Sequence, residues 1–217
     1  MLPKLHRFQR CRFVAVAACT FIVLPAVAQN STNVGAMTPA AAQTQQEMNA
    51  AMDHLFRLKA AQGNGAEVLT GQLAVRKSTD REVRELAEML VREHRMANTE
   101  LFNLIRSKGM TPPREIGASH TAVYNQLNQL TGRDFDRIFM AGQVEMHEAT
   151  ITLFQQQIAN GKDPETLAYA RKYLPSILNH TAEIYALARK VGAPGIELRP
   201  ATLTDNATAF GRMPHSR

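Results

Sequence analysis

Three histidines and one glutamate stand where the helical pattern of the sequence calls for apolar side chains. His94, His147 and His180 each lie in register with the apolar residues of a different amphipathic segment, and Glu67 does so in a fourth segment. Neutral imidazoles with a carboxylate form a ligand set that suits a divalent transition metal such as zinc or iron. These four residues are therefore the candidate metal ligands, and the sequence indicates no catalytic residue.

The four candidates also lie at similar depths in their segments. Each is roughly 14 to 18 residues from the start of its helical pattern, so at about 1.5 Å per residue their levels differ by only a few ångströms. Antiparallel neighbours of similar length bring their midpoints to one level, which predicts that the four side chains converge inside a bundle. A second interpretation stays open, in which the same groups satisfy one another through hydrogen bonds or water and hold no metal.

Four long segments with helical periodicity must position these residues. The first covers about 49–77 and contains the triplet GNG, where a bend is expected. The second begins at STDREV, with Ser78 or Thr79 as its cap, and ends before KGMTPP. The third begins at TGRDFDRIF and ends at NGKDP, and the fourth runs from Asp163 to Val191. A shorter amphipathic stretch, HTAVYNQLNQL, lies between the second and the third.

The same periodicity predicts the fold class. No alternating run of strand length with hairpin signals appears in the sequence. We therefore predict an all-α fold, an up-down-up-down four-helix bundle with a short extra helix between helices 2 and 3. The bundle domain is placed at residues 49–192, after a flexible linker at 29–48 and before a disordered tail at 193–217 that contains three prolines.

Residues 1–28 have the pattern of a secretory signal peptide. A basic start is followed by an apolar run and by small residues at Ala26 and Ala28, which predicts cleavage after Ala28 and export to the periplasm. The competing interpretation is an outer-membrane lipoprotein that is acylated at Cys19. The apolar run has roughly half the length that a membrane span needs, and no later segment could span a bilayer.

Loss of the leader changes the chemistry that the chain can support. Both cysteines, Cys11 and Cys19, would be removed, so neither a disulfide nor a thiolate metal site is expected. The chain has 25 Lys and Arg against 19 Asp and Glu, and four of the bases but none of the acids precede residue 29, which reduces the net charge from +6 to +2. This balance, without a basic stripe, predicts no nucleic-acid partner. No feature selects a protein partner.

Three stretches of the chain carry a resemblance to a known family. They are AEVLTGQLAVRKSTDREVRELAEMLVREHRMANTEL, LTGRDFDRIFMAGQVEMHEATITLF and YLPSILNHTAEIYALA, all within 52–191. They resemble the bacterial family called domain of unknown function 4142, which implies an exported, ferritin-like helical bundle of no established activity. The residues that match the family pattern are Glu67, Glu93, His94, Gly132, Phe135, Asp136, His147, Leu174, Pro175 and His180. One departure is visible, since many members have Asp where this chain has Glu93.

The resemblance leaves the chemistry of the site to the residues themselves. Ferritin-like di-iron sites use Glu-x-x-His, and this sequence contains no such spacing, which favours a mononuclear histidine-rich site. Phosphate-loop, dinucleotide and hydrolase motifs do not occur either. We therefore predict an exported bundle that binds one transition metal and is non-enzymatic or weakly redox-active. The alternative is a structural or interaction module whose histidines only order the core, and a metal-dependent enzyme comes third. The glutamates that could orient the ligands are Glu93, Glu145, Glu148 and Glu183.

Overall fold

The computed structural model describes residues 38–196, and all regular secondary structure in that range is helical. The helices are α1 (Pro39–Lys77), α2 (Arg81–Ser107), α3 (Ala118–Gln129), α4 (Gly132–Asn160) and α5 (Pro164–Val191). The predicted all-α class is confirmed, and the short extra helix lies where it was expected, between the second and third long helices. The predicted signal peptide lies outside the described residues.

The four long helices pack around a common interior. α1 packs against α2 and α4, α5 packs against the same two helices, and α3 lies against α1 and α4. Very short connections join α1 to α2 and α4 to α5, so each of these pairs forms an antiparallel hairpin of helices. This arrangement is compatible with the predicted four-helix bundle.

The core consists of two apolar clusters at different levels of the bundle. The first apolar cluster includes Leu73, Leu90, Val144 and Ile184. The second apolar cluster includes Phe56, Leu101, Phe154 and Ile177. On each long helix, one of the four candidate ligands lies between the residues of the two clusters. Glu67, His94, His147 and His180 thus form a polar layer between two apolar ones.

The order in which each helix meets the two clusters defines its direction. α1 and α5 pass from the second cluster to the first, whereas α2 and α4 pass from the first to the second. The topology is therefore up-down-down-up, and it corrects the up-down-up-down order predicted from the sequence. The physical reason is the long connection 108–131, which contains α3 and carries the chain back along the bundle. One long crossover also occurs in ferritin-like bundles, and the ferritin-like relationship itself remains a prediction.

α1 begins well before the start that was predicted at residue 49. Thr38 caps it, because its hydroxyl oxygen accepts a hydrogen bond from the backbone N–H of Ala41 at 3.2 Å, and Pro39 occupies the first turn. Residues 39–48 therefore belong to a helix and not to the linker. Alanine and glutamine are good helix formers even where no apolar face is present, so residues 39–48 form a helix although they lack helical periodicity. α1 also continues as a helix through the GNG triplet.

The packed domain also extends past its predicted end at residue 192. Gly192 ends α5 in the left-handed conformation, and the N–H of Ala193 then donates to the carbonyl of Ala188 at 2.9 Å. This cap turns the chain back, so that Ala193 and Ile196 are buried in the first apolar cluster. The remainder of the predicted tail, 197–217, lies outside the described residues.

Candidate metal centre

The polar layer brings the three histidines together. One ring nitrogen of each of His94, His147 and His180 lies within 4.8 Å of the corresponding nitrogens of the other two. The ring centroids are 5.7 to 5.8 Å apart, and all three side chains are buried. α2, α4 and α5 each supply one ring, as the sequence predicted.

Helical spacing explains why these rings point inward. His94 follows Leu90 by one helical turn and precedes Leu101 by two, and both leucines are completely buried. His147 follows the buried Val144 by three residues on α4. A side chain at such a position points into the core, so the ring finds its polar partners inside the bundle.

His147 has one of its two ring nitrogens engaged by the backbone. Its Nδ1–H donates to the carbonyl oxygen of Gln143 at 3.1 Å. Since a carbonyl oxygen can only accept, the proton of the neutral ring resides on Nδ1 and Nε2 carries a lone pair. That Nε2 is buried and has no hydrogen-bond partner among the described residues.

His180 has the same arrangement with its nitrogens exchanged. Its Nε2–H donates to Oε2 of Glu93 at 2.8 Å, which leaves the lone pair on Nδ1. Nδ1 is buried and, within 38–196, has no hydrogen-bond partner. Glu93 was one of the glutamates expected to orient a ligand, and the structure places it in that position.

His94 is oriented through a chain of side chains that the sequence did not reveal. Its Nδ1 lies 2.9 Å from Oδ1 of Asn64, whose amide donates to the hydroxyl of Tyr169 at 3.2 Å. That hydroxyl donates to the carbonyl of Ala97 at 3.3 Å, so it must accept from Asn64. Oδ1 of Asn64 is then an acceptor for Nδ1–H, and the lone pair of His94 resides on Nε2, which has no partner in the described part of the chain.

Asn64 was missed because it lies in the GNG triplet, which small and polar residues made look like a bend. The useful signal was its spacing, since Asn64 precedes Glu67 by three residues on the same helix face. A polar residue three positions before a buried candidate on the same helix face lies close enough to hydrogen-bond a candidate ligand of the neighbouring helix, as Asn64 does with His94.

The electrostatic environment keeps the rings of His94 and His147 neutral. Burial, with repulsion from the other two rings, holds the pKa of His94 well below its usual value. Burial also lowers the pKa of His147 to about 3, with a further contribution from His180, although the bond to the carbonyl of Gln143 acts in the opposite direction. Neutral imidazole, with one N–H held by a partner and the other nitrogen bearing a lone pair, is the form that binds metals.

Glu67 lies next to the histidines but outside the group of three. Its Oε1 is 3.5 Å from Nδ1 of His147, the nitrogen that already donates to the carbonyl of Gln143. Burial raises the pKa of Glu67 to about 8, and a hydrogen bond with the Gln143 side chain lowers it by less. Both partners are therefore neutral at pH 7, and the contact is not an ion pair. Of the four predicted ligands, three share one point and Glu67 contacts the outer nitrogen of one of them.

A cavity of about 370 Å³ adjoins this cluster between α2 and α5. Both His94 and His180 line it, whereas His147 and Glu67 do not. The histidine cluster is therefore buried among the four helices but borders a cavity on one side.

Comparison with known proteins identifies the family. A family model described as "Domain of unknown function (DUF4142)" matches residues 38–187. The chain belongs to the DUF4142 family. The match includes Glu67 and all three clustered histidines, and it confirms the resemblance seen in the sequence. No curated protein matches this DUF4142 chain.

A solved structure shows a similar fold. The DUF4142 chain is similar to a DUF305 protein from Streptomyces coelicolor that is described as secreted, with a TM-score of 0.57 and 14% sequence identity. The alignment covers 65% of this chain and 93% of that chain. At this identity the likeness shows the shared fold alone. Within residues 38–196, no helix has both the length and the apolar character that a membrane span requires.

Proposed function

We propose that this DUF4142 protein binds one divalent transition metal through His94, His147 and His180. The observation that carries the proposal is the state of the six ring nitrogens. One nitrogen of each ring is held by an oxygen of Asn64, Gln143 or Glu93. The other nitrogen of each ring is buried and has no partner among the described residues.

A purely structural role accounts less well for this arrangement. If the histidines only ordered the core, their nitrogens would bond to one another or to neighbouring polar groups. A buried polar atom without a partner costs about 1 to 3 kcal/mol, and the three neighbouring rings of this layer each contain one such nitrogen. A metal ion that accepts all three lone pairs would remove that cost and bind to rings that are already oriented.

The ligand chemistry favours zinc over iron. Three neutral imidazoles are a donor set that zinc uses in sites with one further position for water or another ligand. A mononuclear iron site more often combines two histidines with a carboxylate, and Glu67 lies against the outer nitrogen of His147 rather than with the three. With three histidines and no carboxylate in the group, zinc is the first candidate.

The proposed setting is the periplasm, and the proposed role is metal binding rather than catalysis. The leader predicted at residues 1–28 supports export, and the likeness to a protein described as secreted is compatible with it. N-terminal sequencing of the protein from the envelope tests this setting. A mature chain that begins at Gln29 agrees with it, and an acylated Cys19 contradicts it in favour of a lipid anchor.

The metal proposal is tested on protein purified without a histidine tag. After treatment with a chelator, calorimetric titration with Zn²⁺ is expected to show one site per chain, and His94→Leu is expected to abolish binding. The matched control is His54→Leu, because His54 is exposed on α1 and lies outside the cluster. Equal binding by the two variants, or no binding by the unaltered chain, would contradict the proposal.

A further inference from the structure

We propose that the cavity between α2 and α5 binds a small organic carboxylate that completes the coordination of the metal. This inference rests on the proposed function, since the carboxylate needs the metal held by His94, His147 and His180. It goes beyond that function because it names a second ligand and the surface that receives it.

The position of the cavity relative to the three rings is the first argument. His94 and His180 form part of its lining, while His147 and Glu67 approach the cluster from elsewhere. Three histidines leave at least one position of a tetrahedral metal free. The cavity is the side from which a molecule reaches that position without displacing one of the packed helices.

The walls of the cavity are the second argument. Phe154, Tyr169 and Ile177 line it, and all three are buried residues of the second apolar cluster. The hydroxyl of Tyr169 is already engaged by Asn64 and Ala97, so this residue offers a ring face rather than a polar atom. A ligand here therefore needs an apolar body, and a volume of about 370 Å³ accommodates a benzene ring with substituents.

Charge is the third argument, and it selects an anion as the donor group. Three neutral imidazoles place no negatively charged atom on the metal itself. Glu93 and Glu100 line the cavity, but both bond to protein groups, since Glu93 accepts from His180, and Glu100 accepts from Tyr173 at 2.8 Å and pairs with Lys172. A carboxylate brought by the ligand supplies a negatively charged oxygen that can bind the metal directly.

The test uses Co²⁺ in place of zinc, because its visible absorption changes when a ligand joins the metal. The probes are benzoate, which has an aromatic body, and acetate, which does not. Benzoate is expected to alter the spectrum of the Co²⁺ protein and to bind about tenfold or more tightly than acetate, since its ring leaves water for the cavity.

A filled cavity provides the control for location. Ser176 lines the cavity and is half-buried, so Ser176→Trp is expected to retain one Co²⁺ per chain and to lose the response to benzoate. Ser119→Trp, at an exposed position on α3, is the matched control and should respond as the unaltered chain does. If Ser176→Trp fails to fold, Met96→Trp serves the same purpose, because Met96 is an exposed residue at the cavity.

The outcomes separate this inference from the proposed function. A Co²⁺ protein whose spectrum neither probe changes overturns the inference and leaves the metal site intact. Equal binding of acetate and benzoate also overturns it, as does an unaltered benzoate response in both cavity-filling variants that retain Co²⁺. No binding of Co²⁺ or Zn²⁺ by the unaltered chain overturns the inference together with the function on which it rests.

Discussion

Two kinds of buried polar group occur in this bundle, and they differ in how they are satisfied. At the helix connections, Asp136 of α4 accepts three hydrogen bonds at Oδ2, from the hydroxyl and N–H of Thr79 and the N–H of Asp80. Asp53 of α1 likewise accepts from the backbone of the connection between α4 and α5. Asp136 leaves its Oδ1 without a partner in the described range, whereas in the polar layer three histidines each have one nitrogen bonded and the other without a partner there.

The difference in hydrogen bonding between the helix connections and the polar layer indicates the role of each region. The aspartates hold connections, and several donors from one loop converge on a single carboxylate oxygen. The histidines are oriented by neighbours on one side, and each keeps one ring nitrogen without a partner in the described range. Three hydrogen bonds to Asp136 offset its one unpartnered oxygen, whereas each histidine makes one bond for one unpartnered nitrogen, an arrangement from which a purely structural group gains little. The contrast can be tested by altering each region separately.

The largest effect on stability is expected at the connections. Asp136→Ala removes the acceptor for three donors of residues 79 and 80, so we expect the free energy of unfolding to fall by about 2 to 4 kcal/mol in urea titrations. Asp134→Ala is the matched control, because Asp134 is exposed in the first turn of the same helix, and its loss should cost less than about 1 kcal/mol. Equal effects in the two variants would show that Asp136 does not hold the connection.

The next effect concerns orientation within the polar layer. Asn64→Ala removes the acceptor that keeps the proton of His94 on Nδ1, so the affinity for Zn²⁺ is expected to fall about 10- to 100-fold by calorimetry. Asn64→Asp keeps an oxygen at that place and should retain most of the affinity. If Ala and Asp at position 64 behaved alike, the orientation of His94 would not depend on this contact.

A pH dependence of the metal-free protein follows from the shifted pKa values. His94 and His147 take up protons on unfolding when the pH falls below 6.5, so they lower stability in acid. Burial raises the pKa of Glu67 from its ordinary value of 4.5 to about 8 in the folded protein. Between pH 4.5 and 8 the folded chain therefore keeps this carboxyl protonated while the unfolded chain does not. The contribution of Glu67 to stability falls as the pH rises through that range. Below pH 6.5 the effect of the two histidines on the free energy of unfolding is larger than the opposing effect of Glu67. Above pH 6.5 only Glu67 changes the free energy of unfolding.

Stability of the metal-free protein should therefore be greatest near pH 6.5, with slopes of at most about 1.4 kcal/mol per pH unit on either side. Urea titrations between pH 5 and 8 measure this profile. Glu67→Gln is the informative variant, because it removes the ionisation and should flatten the alkaline side, while the acid side becomes steeper without the opposing effect of the glutamate. A profile that is flat throughout, for both proteins, would indicate that these side chains are solvated.

The smallest effect on the fold is expected from His94, a residue of the proposed metal site. In the metal-free protein, His94→Leu replaces a buried ring that has an unpartnered nitrogen by an apolar group in an apolar stripe. We expect the free energy of unfolding to stay within about 1 kcal/mol of the unaltered chain or to increase. A loss comparable to that of Asp136→Ala would mean that the polar layer is structural, like the aspartates.

The positions of the helices and of three candidate ligands could be predicted from local information. Apolar periodicity identified the helix faces that enter the core, and His94, His147 and His180 interrupt those faces. The constant rise of a helix then placed the three rings at one level. Each step uses only spacing along one segment, and the structure agrees with it.

Other features depended on contacts between segments that are distant in sequence. The Ala- and Gln-rich start of α1 has no apolar stripe, so its periodicity could not distinguish a helix from a linker. Glu67 lies on the predicted face, but only the neighbouring helix decides that its carboxylate meets the outer nitrogen of His147. Asn64 acquires its role solely because Tyr169, far along the chain, accepts its amide proton.

The sequence by itself determined which residues face the core and how far along each helix they lie, since both follow from the geometry of a single helix. Only the tertiary structure decided the directions of the helices, because these depend on the connection 108–131, which runs the length of the bundle. It also decided which nitrogen of each histidine bears the lone pair. That choice depends on an oxygen from Asn64, Gln143 or Glu93, and two of these three belong to a different helix from the ring that they hold.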